Sequence, residues 1–199
     1  MSDIFDGPPG SSPLQAEEQE GLLPTWIATR RDLNAAEQQN IARATVWIGG
    51  RRWGLSNIDA LWLKDLHRRM FDDTWRWAGT FRRSDTNIGV PWPEIPTAVE
   101  GLIRDVRVQV EGGVWSADEI AVRFHHQLVL IHPFPNGNGR HARLAADVAV
   151  EALGQKRFEW GAEAELTDGG ELRDAYIAAL QRADRDGDIA PLLAFARVI

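Results

Sequence analysis

Residues 131–143 read Ile-His-Pro-Phe-Pro-Asn-Gly-Asn-Gly-Arg-His-Ala-Arg, and no other part of the chain says as much about its structure and chemistry. An apolar helix end runs into His132, and the proline that follows keeps that helix from simply continuing. Residues 136–139 alternate asparagine with glycine in a tight loop, and a new helix begins near Gly139 or Arg140. The stretch therefore predicts a helix–loop–helix unit with a histidine at the end of its first helix.

The loop and the helix after it have the features of an anion-binding site. Gly137 and Gly139 carry no Cβ, so backbone N–H groups can approach a ligand closely. The first helical turn adds unpaired N–H groups and a field that contributes about 0.3–1 kcal/mol per negative charge. Arg140 and Arg143 lie on the same side of that helix, and each charge-assisted hydrogen bond from them contributes about 1.5–3 kcal/mol. The arginines are therefore expected to contribute more to the free energy of anion binding than the helix field does. A polyphosphate is the predicted ligand.

His132 stands immediately before this predicted anion site. The ordinary pKa of a histidine is about 6.5, so the side chain can accept a proton at neutral pH. A base beside a bound phosphate can take the proton of an incoming hydroxyl, while positioning and charge stabilisation supply most of the rate. The stretch thus predicts nucleophilic attack on phosphorus. A plain helix–loop–helix turn is the alternative, and it leaves this combination of residues at fixed spacing unexplained.

Outside this stretch the chain reads mostly as helices, because apolar residues recur at helical spacing. Asn34, with Glu37 three residues later, resembles a capping box for a helix that ends at residues 49–50. Further helices are predicted to begin at Ser56, after Pro96, at Ser116 with Glu119 as its capping partner, near residue 170 and after Asp188.

Residues 80–90, Thr-Phe-Arg-Arg-Ser-Asp-Thr-Asn-Ile-Gly-Val, interrupt the helical pattern. Polar turn residues separate two short ends of high β propensity, and Phe81 and Ile88 fit the two strands of a small hairpin. An irregular loop fits the same residues equally well.

Composition limits the classes of function. The chain has 199 residues, which suits one domain, and its lack of cysteine excludes disulfides, thiolate metal sites and a cysteine nucleophile. The net charge of -7 argues against non-specific binding to nucleic acid or to an anionic membrane. The chain begins without a signal peptide and contains no apolar run of membrane-spanning length. We therefore expect a cytoplasmic protein with neither a membrane nor a nucleic acid as partner.

The other histidines have weaker claims to chemistry. His125 and His126 are adjacent on one helix and, with His132, lack the spacing of a zinc pair, so we expect them in the core or behind the site. His67 and His141 have no stronger claim.

The stretch 132–143 resembles the signature of Fic (filamentation-induced-by-cAMP) domain proteins, His-x-Phe-x-[Asp/Glu]-Gly-Asn-Gly-Arg-x-x-Arg. Residues 77–82 and 87–89 are similar to the target-docking flap of that family, and residues 172–177, 186–188 and 191–192 to its last helices. The resemblance implies an all-α, Fic-type helical bundle with one small β-hairpin, the flap, over residues 32–199. Residues 1–31 are expected to form an acidic leader. Its first 13 residues are predicted to be flexible, because they are rich in glycine, proline and serine, and residues 14–21 are predicted to form one short helix.

The resemblance also implies a reaction, the transfer of AMP from ATP, with Mg²⁺, to a Ser, Thr or Tyr hydroxyl of a target protein. His132 matches the general base of the family. Nucleotide binding is carried over to Asn136, Gly137, Asn138, Gly139, Arg140 and Arg143, the glycine loop forming the anion hole and the two arginines holding the β- and γ-phosphates. Docking of the target by strand addition is carried over to Phe81, Arg82, Asn87 and Ile88.

Asn136 is the one departure from the signature, because the family has an acidic magnesium ligand at this position. An asparagine offers a carbonyl oxygen but no charge, and Mg²⁺ prefers carboxylates, so we expect weaker metal retention. Three outcomes stay open: reduced adenylylation, transfer from another nucleotide-derived donor as in a phosphotransferase, and binding of a nucleotide or partner protein without catalysis. The first of these is favoured, because His132 and both arginines are present.

Regulation is a further expectation from the resemblance. Many Fic proteins carry an inhibitory helix with the motif [Ser/Thr]-x-x-x-Glu-[Gly/Asn], whose glutamate pairs with the second arginine of the signature. Glu20 and Gly21 match only the second half of that motif, because Ala16 stands at its first position. Glu20 is therefore the candidate inhibitory residue, and a toxin-like role with an antitoxin or other regulatory partner is in keeping with bacterial members.

Overall fold

Local caps and helical spacing of apolar residues produce a helical structure throughout the computed structural model, which describes residues 4–5, 13–161, 166 and 170–197. Two short 3₁₀ turns, Leu55–Asn57 and Trp92–Glu94, precede α3 and α4. The predicted all-α fold is confirmed. The α-helices of the described residues are α1 (Ala16–Gln19), α2 (Arg30–Gly49), α3 (Ala60–Phe71), α4 (Ile95–Gly112), α5 (Ala117–Ile131), α6 (Asn138–Ala152), α7 (Glu171–Asp186) and α8 (Ala190–Ala196).

Two of the predicted caps are wrong, and a nearby side chain replaces each. The Thr29 hydroxyl accepts the Asp32 N–H at 3.2 Å, and the Asp32 carboxylate accepts the Thr29 N–H at 2.9 Å. This reciprocal pair starts α2 before Asn34, so the predicted box lies inside the helix. Likewise the Asp59 carboxylate, rather than Ser56, accepts the Trp62 N–H at 2.7 Å and caps α3.

Ser116 is the N-cap of α5, as predicted. The Ser116 hydroxyl accepts the N–H of Glu119 at 3.2 Å. Helix α5 then packs against α6, and the two form the centre of the bundle. Helix α4 packs on α5, α3 on α6, α2 on α3, and α8 on both α5 and α7. None of the described helices is long and apolar enough to cross a membrane.

The segment between α3 and α4 forms no hairpin, so that prediction is wrong. Among the described residues 80–90 there is no strand, because the backbone groups that would pair with each other bind elsewhere. The Arg82 N–H donates to Pro133 O at 2.9 Å, and the Val90 N–H donates to Ile131 O at 3.4 Å. Both ends of this loop, which we call the flap loop, are therefore fastened to the chain that leads into the motif.

Residues before α2 lie against the domain. Leu14 and Ile27 are buried, and the indole N–H of Trp77 donates to Glu18 O at 2.9 Å. The predicted boundary between a leader and a domain, between residues 31 and 32, falls within α2. The flexibility predicted for residues 1–13 falls almost wholly outside the described residues.

Candidate active site

A cavity of about 160 Å³ opens where the end of α5, the motif loop and the start of α6 meet α2 and α7. It brings together most residues of the predicted site. Its lining includes Arg30 and Asn34 of α2, Ile88 of the flap loop, His132, the loop residues Asn136 to Gly139, Arg140 and Arg143 of α6, and Arg173 and Tyr176 of α7.

His132 ends α5 in a left-handed conformation, with φ 52° and ψ 59°, and the residue lines the cavity. The residue is only 8% exposed. Burial lowers the pKa of His132 to about 4, a hydrogen bond with the Val129 backbone opposes this, and the charge of Arg82 lowers it further. The imidazole is therefore neutral at pH 7 and can accept a proton.

Asn138 holds the shape of the motif loop from inside. Its side-chain oxygen accepts the N–H of Phe134 at 2.9 Å, and its side-chain nitrogen donates to Phe134 O at 2.7 Å. Phe134 itself is fully buried and stacks on the ring of His67 with centroids 3.7 Å apart. The Asn138 side chain thus stabilises the loop. Because that side chain is already engaged, only the backbone of Asn138 is available to bind an anion.

The two glycines of the loop have different reasons to be glycine. Gly137 has φ 77°, and a Cβ there would lie 2.4 Å from Cζ of Phe71. Gly139 is helical, and a Cβ there would meet nothing closer than Arg143 Nη1 at 3.7 Å and the Tyr176 hydroxyl at 3.8 Å. The fold therefore requires Gly137, whereas the absence of a side chain at Gly139 leaves space on the cavity side.

Asn136 is already engaged within the loop. Its side-chain oxygen accepts the Gly137 N–H at 2.6 Å, and its backbone oxygen lies 3.0 Å from His67 Nε2. In the described part of the chain, no group of three or more His, Asp or Glu residues could hold a metal ion. The described lining of the cavity presents arginines and no carboxylate. These donors do not fit a protein-built Mg²⁺ site, which needs carboxylate oxygens.

His67 was missed by the sequence reasoning, and it connects the motif loop to the flap loop. Its Nδ1 accepts the N–H of Gly79 at 3.0 Å, so the proton is on Nε2, which donates to Asn136 O. Burial holds the pKa of His67 well below its ordinary value, and the neighbouring His141 and Arg140 lower it further. A neutral, fully buried histidine therefore sets the position of residue 136.

The two arginines of the motif have contrasting surroundings. Arg140 Nη1 donates to Glu37 Oε2 at 2.6 Å, and Glu37 Oε1 accepts the Trp75 indole N–H at 2.6 Å. Arg143 is only 5% exposed and lies over the Tyr176 ring at 5.3 Å. Within the described chain no carboxylate pairs with Arg143, and its buried Nε has no hydrogen-bond partner. A buried cation in this state calls for an anion.

Glu37 was predicted to be a capping residue, although the pattern of the sequence indicates that it is buried. It falls at helical spacing with Leu33, Asn40, Ala44 and Ile48, which form the buried face of α2. A carboxylate on that face needs a partner, and Arg140 and the indole of Trp75 supply it.

Nothing in the sequence indicated that Tyr176 and Arg173 belong to the site. The Tyr176 hydroxyl is 2.9 Å from Nε2 of His125, so His125 lies behind the site, as expected. His126 contacts Asp184 instead, at 2.7 Å. Arg173 and Tyr176 line the cavity because the first half of α7 comes near the motif arginines, with Arg143 over the Tyr176 ring at 5.3 Å.

Two of the predicted docking residues of the flap loop are exposed, and two pack against the protein. Ile88 is 42% exposed at the edge of the cavity, and Asn87 is exposed beside it. Phe81 packs on Phe134 with centroids 5.4 Å apart. Arg82 is buried, and its guanidinium donates to His132 O and to Val90 O of the flap loop. These contacts leave it unable to touch a target in this conformation.

Glu20 lies outside the residues brought together at the cavity. It is exposed, at the C-terminal end of α1, and it is not among the described residues that line the cavity. Its inhibitory role stays a prediction.

Residues 57–150 match the family model described as the Fic/DOC family. The fold is similar to Fic-1 (residues 134–508, E274G) from C. elegans, with 21% identity and a TM-score of 0.67 over 89% of this chain, which spans about half, 51%, of that one. It is also similar to BepC from Bartonella tribocorum with bound AMPPNP, with 18% identity and a TM-score of 0.67 over 91% of this chain and 96% of that chain. A third similar structure is the N-terminal Fic domain of a Bep effector from Bartonella quintana with bound ADP, with 20% identity and a TM-score of 0.65 over 86% of each chain.

Proposed function

Because residues 57–150 match the family model described as the Fic/DOC family, we propose that this protein is a protein adenylyltransferase that transfers AMP from ATP to a hydroxyl side chain of a target protein. Arg143 carries the proposal, because it is a buried guanidinium, lacks a carboxylate partner among the described residues, and lines the same cavity as His132. A polyphosphate supplies the charge that such a group needs. The ligands bound in two similar structures, AMPPNP and ADP, belong to the same chemical class.

The proposed reaction is a displacement at the α-phosphorus. The hydroxyl oxygen of the target forms a bond to the α-phosphorus, and the bond from that phosphorus to the oxygen bridging to the β-phosphate breaks. The hydroxyl proton goes to the neutral imidazole of His132, and pyrophosphate leaves with the electron pair of the broken bond. Arg140 and Arg143 offset the charge that develops on the leaving group.

The backbone of residues 137–139 has a defined part in this proposal. These residues line the cavity, and the N–H groups of a helix's first turn, which lack partners within the helix, can donate to the α-phosphate. The side chain of Asn136 accepts the Gly137 N–H in this structure, so a nucleotide that takes this N–H must displace it. Ile88, at the edge of the cavity, is the residue of the flap loop best placed to contact the target.

Labelled ATP tests the proposal. The protein is incubated in a lysate with ATP labelled at the α- or the γ-phosphate, and the His132→Ala variant and the exposed-surface variant Gln127→Ala serve as comparisons. We expect α-label on protein with the wild type and Gln127→Ala, and none with His132→Ala. Transfer of γ-label instead would identify a phosphotransferase.

Binding without catalysis is the second candidate, and Asn136 favours it because this residue replaces the acidic group of the signature. ATP binding by the wild type with no transfer of either label in any lysate would support this function over adenylylation.

A further inference from the structure

Arg140 is held in place by a series of buried groups behind the cavity. Its Nη1 donates to Glu37 Oε2 at 2.6 Å, and its Cζ lies 5.0 Å from the centre of the Phe71 ring. Glu37 is held in turn, because its other oxygen, Oε1, accepts the indole N–H of Trp75 at 2.6 Å. Trp75 is buried and stacks on Trp77 with centroids 4.9 Å apart. The direction of the Arg140 guanidinium is therefore fixed before any ligand binds.

The two arginines of the motif consequently differ in what they offer an anion. The carboxylate of Glu37 offsets the charge of Arg140, yet the Arg140 side chain keeps 19% of its surface exposed and lines the cavity. A guanidinium paired in this way still donates directed hydrogen bonds through its other N–H groups, whereas its field at a distance is weakened. Arg143 has no carboxylate partner among the described residues. Arg140 is thus suited to directed hydrogen bonding, and Arg143 to attraction of charge.

A carboxylate at position 37 does not follow from the needs of the fold. The Glu37 side chain is only 2% exposed, on the face of α2 that Leu33, Ala44 and Ile48 also bury. The desolvation of a buried ion pair can exceed its Coulombic gain, and an apolar replacement of similar volume is often at least as stable. Stability alone therefore does not explain this carboxylate. Its direct contact with a residue that lines the cavity indicates a part in the reaction.

We propose that Glu37 is a positioning residue for the transfer and acts through Arg140. The inference rests on the proposed function, in which the bond from the α-phosphorus to the bridging oxygen breaks and pyrophosphate leaves with the electron pair. A guanidinium of fixed direction stabilises the charge that develops on that oxygen. Partial neutralisation by Glu37 limits the attraction of Arg140 for the charge that ATP already carries, so the contact favours the transition state over the bound substrate. Glu37 therefore raises the rate of transfer without tightening ATP binding.

Glu37→Gln tests this inference, because glutamine has nearly the same shape without the charge. One amide oxygen replaces the two oxygens that accept from Arg140 and Trp75, so Arg140 loses its fixed direction. Transfer of α-label into a lysate is measured as a function of ATP concentration. We expect the rate at saturating ATP to fall by about 10- to 100-fold, the range for one charge-assisted hydrogen bond. The KM for ATP should stay equal or fall.

Two measurements separate this loss of rate from a loss of folding. Isothermal titration with ATP counts the intact sites, and Glu37→Gln should show the wild-type stoichiometry with a Kd no higher than that of the wild type. Asp147→Asn is the matched control, because Asp147 is a buried carboxylate that accepts the indole N–H of Trp160 at 2.9 Å and does not line the cavity. This variant should lose stability and keep the transfer rate within about threefold.

A double-mutant cycle shows whether Glu37 acts through Arg140. Arg140→Gln removes the guanidinium and should lower the rate by itself. Adding Glu37→Gln to that variant should cause no further loss of rate, because the group that Glu37 positions is already gone. A purely structural Glu37 would instead lower the rate by the same factor in both backgrounds.

Several results overturn the inference and leave the proposed function standing. They are transfer by Glu37→Gln at the wild-type rate, a raised KM for ATP in that variant, an equal loss of rate in Asp147→Asn, and equal losses in the two backgrounds of the cycle. Faster transfer by Glu37→Gln would also contradict it, because Glu37 would then compete with phosphate for Arg140. Absence of transfer by the folded wild-type protein would contradict the proposed function, and this inference with it.

Discussion

At the scale of single residues, the burial of His132 has a direct kinetic consequence. Because its pKa is lowered to about 4, the imidazole stays neutral well below pH 6.5. We expect the acid limb of a pH profile of kcat/KM, which reports the free enzyme, to lie near pH 4. Initial rates are measured after brief pH jumps, with circular dichroism confirming that the protein remains folded. An acid limb at pH 6–7 would mean that the working base is solvated or is another group.

Arg82 shows how a residue of the flap loop serves the structure. Its Nε donates to His132 O at 2.7 Å and Nη1 to Ser84 O at 2.8 Å, while Nη2 donates to Val90 O. Lysine keeps the charge but has no planar fork to span these oxygens. Arg82→Lys should lower the free energy of unfolding by about 2–4 kcal/mol, measured by urea denaturation.

The neighbouring Arg83 is the control for this change, since it is exposed. Arg83→Lys should shift the free energy of unfolding by less than about 0.5 kcal/mol. Equal effects of the two substitutions would show that the backbone contacts of Arg82 contribute nothing to stability.

At the scale of elements, the start of α6 depends on two glycines that the sequence treats alike. At Gly137 the positive φ and the Phe71 ring both exclude a side chain, so Gly137→Ala should destabilise the protein by about 2–4 kcal/mol. At Gly139 the contacts of an added Cβ are ordinary, so Gly139→Ala should keep the wild-type stability within about 1 kcal/mol. Thermal unfolding of the two variants tests this.

The effect on ATP binding should be clear at Gly139, the position where alanine leaves the stability unchanged. A methyl group at Gly139 lies toward Arg143 and Tyr176, on the cavity side, so Gly139→Ala should weaken ATP binding although it folds normally. If Gly137→Ala proved as stable as Gly139→Ala, the close approach of Phe71 would not be a feature of the protein in solution.

Helix content was predictable from sequence because it depends on local patterns, and helix starts were less so because several residues compete to cap. Thr29 and Asp59 cap α2 and α3, although Asn34 and Ser56 are equally good capping residues by type. The hairpin failed for a long-range reason. The backbone N–H groups of residues 82 and 90 donate to the backbone oxygens of residues 133 and 131. The sequence of the flap loop does not predict these hydrogen bonds.

At the scale of the whole molecule, burial of several neutral histidines makes stability depend on pH. Burial lowers the pKa of His132 and His141 to about 4, and of His67 and His125 well below the ordinary value. The unfolded chain, with pKa values near 6.5, binds more protons between pH 6.5 and 4, so stability falls as pH falls through this window. Each group then costs up to about 2 kcal/mol at pH 5.

Denaturation at several pH values measures this effect. The free energy of unfolding should fall by several kcal/mol from pH 7 to pH 5, a range set by the sum of such groups. His141→Gln removes one titrating ring and keeps a donor for Leu63 O, which His141 Nε2 contacts at 2.9 Å, so its pH dependence should be weaker. A midpoint that is the same at pH 7 and pH 5 would contradict the buried, neutral state of these rings.

The candidate site could be predicted only as far as the motif extends along the chain. Residues 132–143 predicted a base, a loop and two arginines, because the short spacing between these residues places them close together in any helix–loop–helix unit. Glu37 lies 103 residues before Arg140, and Arg173 approaches from a later helix, so their presence follows from packing of the whole bundle. Tertiary contacts thus supply the buried counter-charge and the additional arginines.

A crystal structure of the His132→Ala protein with ATP tests the central claim most directly. The account predicts a triphosphate along residues 137–140, with its terminal phosphates on Arg140 and Arg143 and its α-phosphate beside position 132. ATP bound elsewhere, with Arg143 still over Tyr176 and the cavity vacant, would contradict it.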